Sequence, residues 1–108
     1  MRRAKVEYRP EALNDLRQIY IDIADMSQNH VIANGFVKRI TARCRKIGDA
    51  PNGGRPRGDL VPGLRTVPFE HSAVIAYHVT DAVEIVNVFY GGRDYEALFR
   101  AGDDEDES

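Results

Sequence analysis

The apolar residues between positions 33 and 47 recur at intervals of three, one, three, four and three, which is the spacing of one face of an α-helix. They are Ala33, Phe36, Val37, Ile40, Cys44 and Ile47. A similar stripe lies upstream at Ala12, Leu16, Ile19 and Ile23. We predict one helix from Pro10 to about Met26 and a second from a cap at Ser27 to Gly48. Because few residues separate them, they should form an antiparallel helical hairpin.

The rest of the chain has the patterns of β-strands. Residues 2–8 alternate in polarity, and apolar runs at 64–69, 73–80 and 83–90 are separated by turn residues. Pro68 predicts that the strand containing it lies at a sheet edge or ends early. The order β-α-α-β-β-β predicts an α+β fold, in which the helical hairpin covers one face of a largely antiparallel sheet.

The charges of the chain are segregated. The net charge is −2, but residues 101–108 contain five acidic and no basic side chains. We therefore predict a single domain over residues 1–100 and a disordered acidic tail over 101–108. Residues 38–65 carry eight basic and two acidic side chains, a surface that favours an acidic partner.

Several classes of protein are disfavoured by composition. No apolar run approaches the length of a membrane span, and no apolar signal segment follows the basic N-terminus. Cys44 is the single cysteine, so no internal disulfide is available, and we expect a cytoplasmic protein without membrane contact. The three histidines and the cysteine lack metal-ligand spacing, so we expect no metal and no cofactor.

Two segments are candidates for function. Residues 49–63 are rich in proline and glycine, which predicts a long irregular loop, and this loop carries Arg55 and Arg57. The last strand ends at Gly91-Gly92, and Arg93, Asp94 and Tyr95 follow. These three charged or polar residues should lie at the sheet rim, with a short helix over 94–100.

The order of several short motifs resembles the RelE/ParE superfamily of toxins from bacterial toxin–antitoxin pairs, and the ParE branch most. The likeness covers about residues 4–98. It rests on Tyr8, Pro10, Ala12, Asp15 and Leu16, on Pro51, Gly54 and Arg55, on Gly63-Leu64-Arg65 with Val67, and on Tyr77, Val83, Ile85, Val88 and Gly92-Arg93-Asp94. The resemblance implies two helices on a curved antiparallel sheet. It also implies a ParD-like antitoxin, with a DNA-binding N-terminal part and a C-terminal segment that folds on the toxin.

The two branches of this superfamily act differently. ParE toxins poison DNA gyrase, whereas RelE toxins cleave mRNA on the ribosome, which requires a proton acceptor and a proton donor. Arg65 and Arg93 stand where RelE-like enzymes have two arginines, but Phe99 stands where RelE has a tyrosine. Phenylalanine cannot donate a proton and arginine is a poor base, so Tyr95 is the best substitute. We therefore favour a non-enzymatic gyrase inhibitor; the alternatives are a ribosome-dependent endoribonuclease and a non-toxic interaction module.

Two sets of residues are predicted to contact other macromolecules. Target contacts are expected at Arg65, Arg93, Asp94 and Tyr95. Antitoxin contacts are expected at Leu13, Tyr20, Arg39, Arg43, Arg55 and Arg57. The resemblance implies a toxin–antitoxin hetero-oligomer that touches DNA only through the antitoxin and acts in plasmid stabilisation and growth inhibition. An apolar and acidic antitoxin segment would suit the hairpin and the basic loop. We expect the acidic residues at 103–107 to be solvated and to aid solubility; the alternative is that they compete weakly for that patch.

Overall fold

The computed structural model describes residues 4–92 and 94–100, so the predictions for residues 1–3, for Arg93 and for the acidic tail lie outside the described residues. Two long helices, a mixed sheet and a short C-terminal helix make up the fold. The elements are β1 (Val6–Tyr8), α1 (Pro10–Ser27), α2 (His30–Asp49), a 3-10 turn (Pro51–Gly53), β2 (Arg55–Pro56), β3 (Arg65–Phe69), β4 (Ala73–Val79), β5 (Val83–Tyr90) and α3 (95–100). The predicted fold class is confirmed.

The predicted helical hairpin is present, and its two apolar stripes are buried apart from the half-buried Val37. The cap predicted at Ser27 is wrong: Ser27 is the last residue of α1, and its hydroxyl donates to the Ile23 carbonyl at 2.7 Å. The chain reverses at Gln28, which has a left-handed φ of 55°. Asn29 then caps α2, and its side-chain oxygen accepts from the N–H of Val31 at 2.9 Å.

Neither helix is a membrane span. Within residues 4–92 and 94–100, the structure contains no helix with both the length and the apolar character needed to cross a bilayer.

The five strands form one sheet in the order β1-β5-β4-β3-β2. β1 pairs with β5 in parallel, with Val6 opposite Val83, and the other neighbours are antiparallel. The parallel pairing follows from the chain path, because the helical hairpin and three strands separate β1 from β5. The predicted largely antiparallel sheet is therefore confirmed, with one parallel pair at its edge.

β3 lies near the other edge of the sheet. The loop 49–63 was predicted to lack regular structure, which is wrong for the 3-10 turn and for β2. β2 pairs with β3 at only two positions, so Arg55 faces Thr66 and Pro56 faces Arg65. Beyond Thr66 no described strand covers β3, and Pro68 occupies this open stretch without an N–H to offer.

Both faces of the sheet are covered. The helices pack on the inner face, against Val67, Ile75, Ile85 and Val88 among others. On the outer face, a smaller cluster joins residues of the loop, the sheet and α3. The cluster consists of Leu60, Leu64, Ala76 and Phe89, with Val61, Tyr95 and Phe99 packed against it.

A β-bulge in β5 is fixed by a carboxylate from α1. Ala76 faces Asn87 whereas Tyr77 faces Ile85, so Val86 is the extra residue. Asp15 accepts hydrogen bonds from the Asn87 side chain at 3.0 Å and from the next backbone N–H at 2.9 Å. This contact binds α1 to the strand at its irregular point.

Tyr77 anchors the proline- and glycine-rich loop. Its side chain is fully buried, and its hydroxyl accepts from the Gly54 N–H at 2.9 Å and donates to the Pro51 carbonyl at 2.7 Å. A Cβ on Gly54 would lie 2.8 Å from the Tyr77 Cε1 atom, so only glycine permits this close approach.

We predict that Tyr77→Phe lowers the free energy of unfolding by about 1–3 kcal/mol, because the Gly54 N–H and the Pro51 carbonyl both lose their buried partner. Urea unfolding monitored by circular dichroism measures this change. Tyr90→Phe, at a half-buried tyrosine of β5, is the matched control and should cost much less. Equal stability of the Tyr77 variant and the wild type would contradict the anchoring role.

Candidate functional site

Backbone hydrogen bonds of Arg57 stabilise the loop that contains it. Its N–H donates to the Leu64 carbonyl at 2.7 Å, and its own carbonyl accepts from Leu60 at 3.0 Å and from Val61 at 3.3 Å. These bonds close the segment 57–64 into a compact turn that places Leu60 and Leu64 in the outer cluster. The irregular loop therefore has a defined shape where it meets the sheet.

The Arg57 side chain joins this loop to α3. Only 7 % of the side chain is exposed, and its guanidinium donates to both Asp59 oxygens, at 3.0 and 2.8 Å. The same group donates to a Glu96 carboxylate oxygen and, at 3.1 Å, to the Tyr95 hydroxyl. Hydrogen bonds from Arg57 lower the pKa of the Asp59 carboxyl, and both carboxylates raise the pKa of Arg57. A buried charge with two opposite partners is stable in its charged form.

Aromatic contacts hold α3 on the outer face. The Tyr95 ring stacks on Phe89 with centroids 5.5 Å apart, and Phe99 meets the same ring edge-on at 5.8 Å. Phe99 therefore serves as an apolar contact. Asp94 lies just before the helix and accepts from the Ala97 N–H at 3.1 Å, the contact of a helix cap.

Of the two arginines predicted to contact the target, the structure describes only Arg65. Arg65 at the start of β3 donates to the carbonyls of Asn52 at 3.0 Å and Gly54 at 2.8 Å, so its guanidinium braces the loop. Arg93 is not among the described residues. The proximity of Arg65 and Arg93 therefore stays a prediction, and so do their contacts with a target.

The basic residues of α2 flank a groove beside the end of β3. Arg39 forms two hydrogen bonds with Glu70, at 2.8 and 3.1 Å, and its guanidinium lies 5.4 Å from the Phe36 ring centroid. These bonds lower the pKa of the Glu70 carboxyl. The groove has a volume of about 240 Å³. It is lined by Arg39, Ala42, Arg43, Lys46, Phe69 and Glu70.

The other predicted antitoxin contacts lie on two elements. Leu13 is exposed on α1, Tyr20 on the same helix shares a 3.0 Å hydrogen bond with the His30 ring, and Arg55 is exposed on β2. The Arg57 guanidinium is bonded to Asp59, Tyr95 and Glu96, and the antitoxin contacts of all six residues stay predictions. Sequence reasoning missed an exposed apolar tip on the helical hairpin, where Met26 is 82 % and Val31 79 % exposed.

The described histidines are distributed over separate parts of the molecule. His30 pairs with Tyr20 at the hairpin, and burial lowers the pKa of His78 on β4. His71 is exposed in the β3–β4 turn, with a left-handed φ of 57°. Among residues 4–92 and 94–100, no three His, Cys, Asp or Glu side chains are grouped as a metal site would require.

Comparisons with known proteins agree with this fold. The family model described as "ParE toxin of type II toxin-antitoxin system, parDE" matches residues 6–95. A structure of the chromosomal ParDE toxin–antitoxin system from P. aeruginosa superposes with a TM-score of 0.71 at 21 % identity, covering 82 % of this chain and 96 % of that one. The isolated E. coli RelE toxin gives a TM-score of 0.53 at 16 % identity, covering 91 % and 98 %. No curated protein matches the sequence.

We predict that the ion pairs of Asp59 and Glu70 contribute stability above the ordinary carboxyl pKa values, 3.8 and 4.5, and lose it as the pH falls. The sign follows from their lowered pKa in the folded state, because unfolding then takes up protons in acid. The urea midpoint should fall between about pH 5 and pH 3, and fall less in an Asp59→Asn, Glu70→Gln double variant. Parallel pH profiles of the two proteins would contradict the prediction.

Proposed function

Because the chain belongs to the ParE toxin family of type II toxin–antitoxin systems, we propose that it inhibits bacterial DNA gyrase by binding and is neutralised by a cognate antitoxin. The family match over residues 6–95 supports the toxin role. Gyrase acts on chromosomal DNA, so the proposed site of action is the bacterial cytoplasm. There the pair would stabilise a plasmid or restrain growth, depending on where its genes lie.

One observation favours binding over catalysis. At the outer rim, the Tyr95 hydroxyl accepts from the Arg57 guanidinium at 3.1 Å, and Phe99 packs on Phe89. Cleavage of RNA by its own 2′-hydroxyl needs one group that takes a proton and another that gives one. The only hydroxyl at this rim among the described residues of α3 is thus held in a structural contact. We assign target contact to Arg65, Arg93, Asp94 and Tyr95 as binding groups.

The proposed antitoxin surface lies on the helical hairpin and the basic loop. Leu13 and Tyr20 offer apolar contact on α1, and Arg39, Arg43 and Arg55 offer positive charge. A C-terminal antitoxin segment with apolar and acidic side chains suits this combination, because it would fold as it binds. The complex would be a hetero-oligomer, in which the antitoxin alone contacts DNA.

We expect the purified protein to inhibit supercoiling of relaxed plasmid by gyrase and to trap cleaved DNA. Tyr95→Ala should weaken the inhibition, because it removes a ring and a hydroxyl from the proposed contact surface. Arg17→Ala, at an exposed arginine of α1, is a control that should inhibit like the wild type. Intact gyrase activity together with translation-coupled mRNA cleavage would contradict the proposal and favour a RelE-like nuclease.

We expect Arg43→Ala to weaken antitoxin binding by about fivefold, the effect of losing a pair worth about 1 kcal/mol. The loss should shrink as salt rises, because the proposed contact is between charges. Titration calorimetry at low and high salt measures both effects. A loss of affinity that does not depend on salt would mean that Arg43 acts by packing alone.

A further inference from the structure

Arg57 connects parts of the chain that are far apart in sequence, since its contacts on α3 lie 38 and 39 residues away. We propose that Arg57 is a positioning residue, which seats α3 on the outer face of the sheet and so fixes the direction of residues 94–96. The seating of the helix stands by itself. Its consequence for the target rests on the proposed function, because Asp94 and Tyr95 are assigned there to target contact.

The backbone of Arg57 provides a fixed base for its side chain. Three backbone hydrogen bonds at 2.7, 3.0 and 3.3 Å hold the residue within the turn that ends at Leu64. Leu60 and Leu64 are buried in the outer cluster, 5 % and 1 % exposed. The guanidinium therefore projects from a packed platform, although it belongs to a segment with several prolines and glycines.

The two carboxylates that bind the Arg57 guanidinium come from the two segments that it joins, the loop and α3. Asp59 belongs to the same loop and holds the planar group in one orientation through two bonds. Glu96, from α3, then bonds to the Nη2 atom of that oriented group, and the Tyr95 hydroxyl bonds to Nη1. Because the donor directions of arginine are fixed, the helix can satisfy both contacts in only one placement.

The helix requires such a contact because of its length. α3 covers only residues 95–100, and a helix this short is not stable alone in water. The rings of Tyr95 and Phe99 bury apolar area on Phe89, but apolar burial is not directional. The Arg57 hydrogen bonds supply the direction that the ring contacts lack.

Because Arg57 is buried, the loop and α3 stabilise each other. The Arg57 side chain is only 7 % exposed, so the guanidinium loses most of its hydration, and its charge is compensated by Asp59 and Glu96 together. Detaching the helix would leave this charge with one carboxylate instead of two. Charge compensation in the loop thus depends on the seated helix, and the seated helix depends on the loop.

Hydrogen exchange of the backbone amides at 97–100 tests the seating of α3 in the full chain. In Glu96→Gln, and more strongly in Arg57→Lys, these amides should exchange about tenfold faster. Lysine has three donors on a single nitrogen, so it cannot replace the four bonds that the planar guanidinium makes. Arg17→Lys makes the same chemical change at an exposed site and should leave their exchange unchanged. Glu96 is 39 % exposed at its side chain, so its variant keeps the fold, which the urea midpoint verifies.

The same variants test the consequence for the target. Arg57→Lys and Glu96→Gln should raise the concentration needed for half-inhibition of gyrase about tenfold. Unchanged exchange at 97–100 in both variants would overturn the seating role. Faster exchange with unchanged inhibition would overturn the positioning role. Absence of inhibition by the wild type would overturn the proposed function instead, and the exchange rates would still decide whether Arg57 seats the helix.

Discussion

The central strands β4 and β5 are apolar toward both faces of the sheet. Both faces must therefore be covered by other parts of the chain, and this need determines where the helices and the loop pack. Ile75, Ile85 and Val88 face the helices, while Ala76 and Phe89 belong to the outer cluster. A strand with two apolar faces must be covered twice to avoid exposing them to water. The helical hairpin packs on one face only, so the other face needs a second cover.

The second cover is built from irregular chain and a very short helix. Segments of this kind bury few apolar side chains, so polar contacts must fix them in place. Tyr77 does this from inside the sheet, where its hydroxyl holds Gly54 and Pro51 of the loop. Arg57 does it from the loop side, where it reaches α3. Buried polar groups that are fully bonded give a segment one defined placement, which apolar contacts alone do not.

Sequence patterns predicted the elements well because those elements follow from local rules. The spacing of Ala33, Phe36 and Ile40 placed α2 on the core, and an apolar run next to turn residues placed β5 at 83–90 as found. The cap at Ser27 was missed by two residues, because Ser and Asn are equally good caps and the left-handed residue between the helices carries no sequence mark. Local sequence patterns therefore predict whether a segment is a helix or a strand better than they predict where it begins and ends.

The site was less predictable, because its contacts are long-range. Arg57 was assigned to antitoxin contact on the basis of charge density alone. Asp59 and Glu96 appear in the sequence as ordinary surface residues, and Tyr95 was predicted to contact the target. Nothing local connects Tyr95 or Glu96 to Arg57. A single sequence does not show which distant residues pair, so it could not reveal the contact between the loop and α3. The same limit applies to Arg65, whose guanidinium braces the loop carbonyls of Asn52 and Gly54.

The distribution of bonded arginines bears on how such a protein could act. An enzyme that cleaves RNA must keep cations and a proton donor available to the substrate. Here the guanidinium groups of Arg57, Arg65 and Arg39 all have acceptors within the protein, and the Tyr95 hydroxyl bonds to one of them. Such groups give a surface a fixed shape and charge. A binding surface needs that rigidity, since a preformed contact loses less entropy when its partner docks.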